Sequence, residues 1–247
     1  MAKSGGSRGR SGRPAGSARP ARRNRAAVPQ RTAKAKTPKA VTPAPPPPPA
    51  AARFVLGAIP GATLGGWVDA WRERMPRTEL QLHPLDFATQ RTALLEQGLD
   101  AAVVRLPIDT DGLSVIPLYD ETAVVVTSAE SHLTAADELE MGDLAGEILI
   151  VPRDDVLGPV VPGAASATFA PPEDTEQAIA TVAAGVGIII VPMSLARLHR
   201  RKDAAYRPLR DGPTSTVALV WPTERTTPEV EAFIGIVRGR TPNSSRG

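Results

Sequence analysis

One arginine stands where the chain could contact a small molecule. The segment Ala101 to Val104 has the composition of a buried strand, and Arg105 follows where that strand would end. In open α/β sheets, ligands bind beyond the carboxyl ends of the strands. The Arg105 guanidinium could therefore bind a carboxylate through two parallel hydrogen bonds. Alternatively, it could pair with Asp109, Asp111 or another acid of the chain.

Residue types that carry catalysis form no recognisable pattern in this sequence. The three histidines, His83, His132 and His199, fall on a predicted strand end, a loop and a helix, without the spacing of metal ligands. The chain has no cysteine, no nucleophile elbow and no phosphate-binding loop, and the segment GVGIII lacks the third glycine of a dinucleotide fingerprint. We therefore expect no enzymatic activity, no metal and no cofactor.

Strands and helices alternate in the region that would position Arg105. The apolar segment FVLGAIP predicts a buried strand that begins near Arg53. Residues at helical spacing then predict an amphipathic helix with Leu64, Trp67, Val68, Trp71 and Met75 on one face. A strand at 79–83, a helix at about 89–97 and the strand that leads to Arg105 complete the pattern. Such alternation is typical of a parallel sheet with helical crossovers.

The pattern restarts after Thr127. Residues 148–152, ILIVP, predict a compact strand, and 153–172 predict a loop rich in Pro and Gly. Asp174, with Gln177 three residues later, has the form of a capped helix start. The predicted elements that follow are a buried strand within 185–192, a short helix at 194–199, strands at 206–209 and 217–221, and a last helix through 230–237.

The charges divide the chain into two parts. Twelve of the 29 Lys and Arg residues lie in residues 1–52, which contain no acid, so 17 bases face all 26 acids in the remainder. We expect residues 1–52 to be a disordered basic tail and residues 241–247 a disordered C-terminus. The tail could bind DNA non-specifically by releasing counterions from the phosphates. Its candidate contacts are Arg8, Arg10, Arg13, Arg19, Arg22, Arg23, Arg25, Arg31, Lys34, Lys36 and Lys39. A merely solubilising tail is the alternative.

The N-terminus does not have the apolar run of roughly 7 to 15 residues that marks a signal peptide. The sequence contains no stretch of about 18 apolar residues that could span a bilayer. We therefore expect a cytoplasmic protein without membrane contact.

Several segments, in the same order and spacing, resemble the effector-binding domain of LysR-type transcriptional regulators. They are FVLGAIP with its following helix, LLEQGLDAAVVRLP, GLSVIPLYDETAVVV, AIATVAAGVGIIIVP and VALVW. The resemblance covers residues 53–240 and implies an α/β fold of the type 2 periplasmic-binding-protein kind. Two Rossmann-like lobes would be joined by a two-stranded hinge. The first lobe would comprise about 53–126 and 222–240, and the second about 127–221.

The sequence also departs from the family pattern. The family carries a winged helix-turn-helix and a linker helix before this domain, where this chain has the basic tail. The region between Pro152 and Glu173 is too short for the helix expected there. In the family, a turn rich in Ser and Thr faces the cleft before the second helix, whereas this chain has Asp86, Phe87 and Ala88.

The resemblance implies a small-molecule effector, and many effectors of the family are small carboxylates. The turn Gly61, Ala62 and Thr63 could offer backbone N–H groups and a hydroxyl to such an anion, or it could be an ordinary helix cap. Asp86 would repel an anion unless it neutralises Arg105, so a cationic, a neutral or no ligand also remains open. In the second lobe, Asp154 and Thr175 are candidates by position.

Two functional hypotheses follow. In the first, the chain is an effector-binding protein involved in transcriptional regulation, with a tail that contacts DNA non-specifically. In the second, it is a DNA-associated accessory or dimerisation protein with a vestigial cleft. The resemblance implies a homodimer in either case.

Overall fold

The structure, a computed structural model, describes residues 52–239. The expected tail at 1–52, with its candidate DNA contacts, and the expected C-terminus at 241–247 therefore lie outside the described residues, apart from Ala52. The elements in chain order are β1 (Ala52–Ala58), α1 (Gly65–Arg74), β2 (Thr78–Pro84), α2 (Gln90–Glu96), β3 (Ala101–Arg105), β4 (Leu113–Glu121), β5 (Ala123–Ser128), β6 (Ile148–Leu149), β7 (Ala165–Ser166), α3 (Thr175–Ala183), β8 (Ile189–Pro192), α4 (Met193–Leu198), β9 (Ala204–Pro208), β10 (Ser215–Pro222) and α5 (Pro228–Val237). Four short 3₁₀ helices lie at Phe87–Thr89, His132–Ala135, Met141–Leu144 and Thr223–Arg225.

The first lobe is built on a five-stranded sheet with the order β2-β1-β3-β10-β4. Strands β1, β2 and β3 pair in parallel, as the alternation of strands and helices predicts, and β10 is antiparallel to both β3 and β4. The predicted face of α1 packs on this sheet. Trp71 is fully buried and stacks on Phe54 with ring centroids 4.6 Å apart. Phe233 of α5 lies 5.5 Å from Phe54 in the same core. These aromatic contacts hold α1 and α5 on one face of the sheet.

The second lobe has a three-stranded antiparallel sheet with the order β8-β5-β9. The apolar runs of β5 and β8 are buried because helices and loops cover both faces of this sheet. Helix α3 begins as predicted, since the Asp174 carboxylate accepts a hydrogen bond from the backbone N–H of Gln177. Ala178, Ile179 and Val182 of this helix are buried against the sheet.

The chain crosses between the lobes at two places, and both differ from the expected boundaries at about 126 and 222. Strand β5 pairs with β8 and β9, so the first crossing lies at Thr122, between β4 and β5. Strand β10 pairs with β3 and β4, so the second crossing lies between Pro208 and Ser215. The sequence pattern could not show this, because only Thr122 separates β4 from β5 and the sheet that each strand joins depends on pairing with distant strands.

The strand predicted at 148–152 is wrong in length. Only Ile148–Leu149 forms a strand, which pairs in parallel with Ala165–Ser166. Ile150 instead donates its N–H to the carbonyl of Ile188 and packs into the core as part of a loop.

Candidate functional site

Arg105 is part of a buried cluster at the junction of the two lobes. Its side chain is 2% exposed, at the end of β3. The Nη1 atom donates to Glu121 Oε2 and, at 2.7 Å, to Ser215 Oγ. The Nη2 atom donates to Ser194 Oγ at 3.0 Å, and this hydroxyl donates to Glu121 Oε2 at 3.1 Å. We call Arg105, Glu121, Ser194 and Ser215 the hinge cluster.

The members of the hinge cluster come from both lobes and both crossings. Glu121 ends β4, directly before the first crossing, and Ser215 begins β10, directly after the second. Ser194 lies in α4 of the second lobe. The cluster is therefore a polar link between the lobes, with its charges largely removed from water and paired with each other.

Gln90, at the start of α2, fixes the backbone of Arg105. Its Nε2 donates to the Arg105 carbonyl at 2.7 Å, and its Oε1 accepts the Arg105 N–H at 3.0 Å. Gln90 is 3% exposed. A buried side-chain amide thus supplies both hydrogen bonds that the end of β3 would otherwise lack.

In the structure, Arg105 pairs with an acid of the chain, as in the second of the two alternatives. The partner is Glu121 and neither Asp109 nor Asp111. Those two residues contact Arg91 instead, whose Nε lies 3.3 Å from Asp109 Oδ2 and whose Nη2 donates to the Asp111 carbonyl at 3.1 Å.

A cavity of about 560 Å³ lies beside the hinge cluster, with walls from both lobes. We call it the interlobe cleft. The first lobe contributes Ile59, Pro60, Asp86, Phe87, Ala88 and Arg105. The second lobe contributes residues 153–156, Glu173, Asp174 and Glu176 around the start of α3, and Leu195, Leu198 and His199 around α4. A volume of this size suits a small organic molecule.

Carboxylates dominate the polar lining of the interlobe cleft. Six carboxylates face two guanidiniums: the acids are Asp86, Asp154, Asp155, Glu173, Asp174 and Glu176, and the bases are Arg105 and Arg153. Arg153 Nε lies 3.2 Å from Glu173 Oε1, and His199 Nδ1 lies 3.9 Å from Glu176 Oε2. The cleft therefore has a surplus of negative charge.

Backbone N–H groups hold most of the second-lobe acids in place. Asp154 accepts the backbone N–H and the hydroxyl of Thr175, each at 3.0 Å. Asp155 accepts the N–H groups of Leu157 and Gly158. The carboxylate of Asp86 in the first lobe, by contrast, is exposed and has no hydrogen bond or ion pair with any described residue.

The turn Gly61, Ala62 and Thr63 lines a different cavity of about 600 Å³, together with Tyr119, Glu121 and Ser194. Gly61 has φ +81°, and a Cβ atom on it would lie 2.7 Å from Ser194 Oγ. The turn thus presses directly against α4 of the second lobe. Burial and the nearby Glu121 raise the pKa of Tyr119, whereas a hydrogen bond from the Thr63 backbone and the charge of Arg105 lower it.

The seven predicted ligand-binding residues therefore do not share one cavity. Asp86, Arg105 and Asp154 line the interlobe cleft, and Gly61, Ala62 and Thr63 line the cavity with Tyr119. Thr175 is 2% exposed and holds Asp154 instead of lining the cleft. Sequence reasoning missed Glu121, Ser194, Ser215 and Gln90, although a buried strand that ends in arginine requires a buried acid as its partner.

Within residues 52–239, no group of three or more His, Asp or Glu side chains is placed to hold a metal ion. None of the helices in this part of the chain is long and apolar enough to cross a membrane.

Two α/β lobes with two crossings and a cleft between them define a periplasmic-binding-protein-like, effector-binding class of domain. The chain belongs to the LysR substrate-binding domain family, whose model matches residues 49–242. The fold and the family expected from the sequence are thereby confirmed, and with them a domain of the kind that binds effectors in transcription regulators.

Curated relatives include proteins named hydrogen peroxide-inducible genes activators. The chain is 30% identical over 156 residues to a hydrogen peroxide-inducible genes activator of Pectobacterium carotovorum, an alignment that covers 59% of this chain and 51% of that protein. It is 28% identical over 159 residues to the DNA-binding transcriptional dual regulator OxyR of Escherichia coli K12, with 60% and 52% covered. The chain thus spans about half the length of these relatives.

Solved structures show the same fold. The oxidized form of OxyR matches with a TM-score of 0.63 at 23% identity, over 76% of this chain and 93% of that one. The effector-binding domain of BenM with its effector benzoate matches with a TM-score of 0.63 at 20% identity, over 76% and 90%.

Proposed function

We propose that residues 52–239 sense a small molecule in the interlobe cleft and transmit its binding as a change in the relative position of the lobes. The protein would act in transcriptional regulation in the cytoplasm, without a catalytic step. The observation that carries this proposal is the cleft itself, whose walls come from both lobes and whose inner end meets the hinge cluster. A ligand that contacts both walls binds the closed arrangement better than the open one, which is what a shift in population requires.

The names of the relatives do not decide what is sensed. They refer to hydrogen peroxide, but these 247 residues contain no cysteine, so a thiol cannot be the group that responds here. A bound molecule in the cleft is the mode of sensing that the side chains support.

A ligand screen by thermal unfolding tests this proposal. Ala88 is exposed and lines the cleft, so Ala88→Trp should fill part of it without disturbing the core. Ala129→Trp is the matched control, since Ala129 is exposed and lies outside the lining of the cleft. A cleft ligand raises the Tm of the wild type and the control but not of Ala88→Trp. A ligand that stabilises all three proteins equally would place binding elsewhere.

We also propose that the basic tail contacts nucleic acid and that the protein forms a homodimer. The observation that favours DNA contact is the tail's twelve cations without a single acid. Its affinity for random duplex DNA should fall steeply with salt, and replacement of the twelve cations by Gln should abolish it. Light scattering measures the molar mass of the full chain in solution and so tests whether it forms a dimer. If the full chain and the version with twelve Gln substitutions bind DNA equally, the accessory-protein hypothesis has no support.

A further inference from the structure

The interlobe cleft has a charge that selects its ligand. We propose that it binds an organic cation, in which an ammonium or guanidinium group is attached to an apolar body. This inference rests on the proposed function, since it names the ligand class of the same cleft. Four observations support this proposal. Arg105 is already paired with an acid, acids lie on both walls, and an apolar surface lies between them. The fourth is the contrast with a relative whose structure contains a carboxylate.

Arg105 is the cation at the inner end of the cleft. Its guanidinium is buried and both of its terminal nitrogens already donate, to Glu121, Ser215 and Ser194. An anionic ligand there would meet a guanidinium whose charge Glu121 already balances and three of whose five N–H donors are in use. Arg105 therefore offers a carboxylate little net attraction. The other lining arginine, Arg153, is paired at the exposed rim with Glu173.

Acids stand on both walls of the interlobe cleft. The Asp86 carboxylate projects from the first lobe without a partner among the described residues. On the second lobe, Asp154 and Asp155 are anchored by backbone N–H groups. Their carboxylates keep a fixed position but no cation compensates them. A cationic group between the walls would gain attraction from both lobes and would favour their approach.

The interlobe cleft also has an apolar surface. Ile59, Phe87, Val156, Leu195 and Leu198 line the cleft among the acids. Leu198 is 54% exposed. Such a surface binds hydrocarbon, and the ring of Phe87 could also face a cation. A bare metal ion or an inorganic cation would leave it uncovered, so the ligand combines a charged and an apolar part.

The structure of the BenM effector-binding domain contains a carboxylate, its effector benzoate. The cleft of the present chain repels such an anion because its free polar groups are carboxylates. The two domains have a similar fold, but the charge of the present cleft favours a cationic ligand.

Matched pairs of probes test the proposal. Each pair has one hydrocarbon body and opposite charges: benzylamine with phenylacetate, and hexylamine with heptanoate. Thermal unfolding and isothermal titration of the full chain at low and high salt give the readout. The amines should raise Tm in a concentration-dependent way, more weakly at high salt, and the carboxylates should not.

Variants at Asp86 place the effect in the cleft. Asp86→Asn should weaken amine binding on the order of 5-fold, as expected for one partly exposed ion pair. Asp86→Lys should abolish amine binding. Asp137→Asn is the control, because Asp137 is also exposed and lies outside the lining of the interlobe cleft. All these positions are exposed, so the variants should fold.

The outcomes separate the inference from the proposed function. Stabilisation by carboxylates instead of amines overturns the cation inference but supports a cleft ligand. Amine binding that is unchanged in Asp86→Lys and Ala88→Trp overturns it as well, since the amine then binds elsewhere. If no amine binds, the inference fails, and the ligand screen with Ala88→Trp decides separately whether the cleft binds any molecule at all.

Discussion

The hinge cluster and the interlobe cleft are neighbouring regions with similar residue types and opposite electrostatics. In the hinge cluster, one buried arginine meets one nearly buried glutamate, and two hydroxyls complete the hydrogen bonds. In the cleft, six carboxylates face two arginines, both of which are paired. The first region is charge-balanced and largely buried, and the second is unbalanced and open.

This difference separates structural charges from charges that are available to a ligand. A buried charge must be compensated within the protein because desolvation is costly, so Glu121 neutralises the charge of Arg105. An exposed carboxylate such as Asp86 is solvated and needs no partner, so it remains free for one that arrives. Position at a strand end identified Arg105 as a candidate, but burial and pairing decide its role.

The largest effect should come from breaking the buried pair. Arg105→Met leaves the Glu121 carboxylate without its cation and should lower the free energy of unfolding by about 3–5 kcal/mol. Arg72→Met is the matched control, because Arg72 pairs with Asp69 on the surface, with 74% and 76% of their side chains exposed. The control should lose less than about 1 kcal/mol. Urea unfolding measures both values.

The double variant Arg105→Met and Glu121→Met sharpens the same test. It removes both charges, so it should recover much of the stability lost in Arg105→Met. A single variant as stable as the control would show that the pair is not effectively buried, and the contrast between the two regions would then disappear.

A smaller effect should come from Gly61, where the first lobe touches α4. Gly61→Ala adds a Cβ atom 2.7 Å from Ser194 Oγ at a residue with φ +81°. Strain and collision together should cost about 1–3 kcal/mol and should push the lobes apart. Gly66→Ala is the control: in the first turn of α1 its Cβ would meet nothing within 4 Å, so a gain of up to about 1 kcal/mol is expected. Equal changes in both variants would mean that the turn does not press on Ser194.

The sequence predicted most of the fold because local periodicity encodes it. The spacing from Leu64 to Met75 identified α1, and the apolar runs identified β1, β3 and β8. It did not predict the lobe to which β5 and β10 belong, because that depends on pairing between distant strands.

The candidate site was less predictable. Glu121 and Ser215 lie far from Arg105 in the chain and meet it only through the crossings. Asp86 and Asp154 could be named from the family pattern and from position, but the acidic surplus of the cleft also includes Glu173, Asp174 and Glu176. Their convergence depends on how α3 and the 3₁₀ helix at Phe87–Thr89 are oriented.

The smallest expected effect is a change in the pKa of Tyr119. It reports whether the charge of Glu121 acts on groups outside the hinge cluster. Burial first and Glu121 second raise the pKa of Tyr119 above its ordinary value of 10.0. The chain has two tyrosines, so Tyr206→Phe isolates Tyr119 in a phenolate absorbance titration, with the double Phe variant as blank. Because the pKa is raised on folding, the contribution of Tyr119 to stability is complete below pH 10.0 and is lost as the pH rises through the folded pKa. Adding Glu121→Gln removes a nearby negative charge and should lower the pKa towards 10.0. An unchanged pKa of Tyr119 would mean that the charge of Glu121 is neutralised by Arg105. The hinge cluster would then exert no net electrostatic effect on Tyr119.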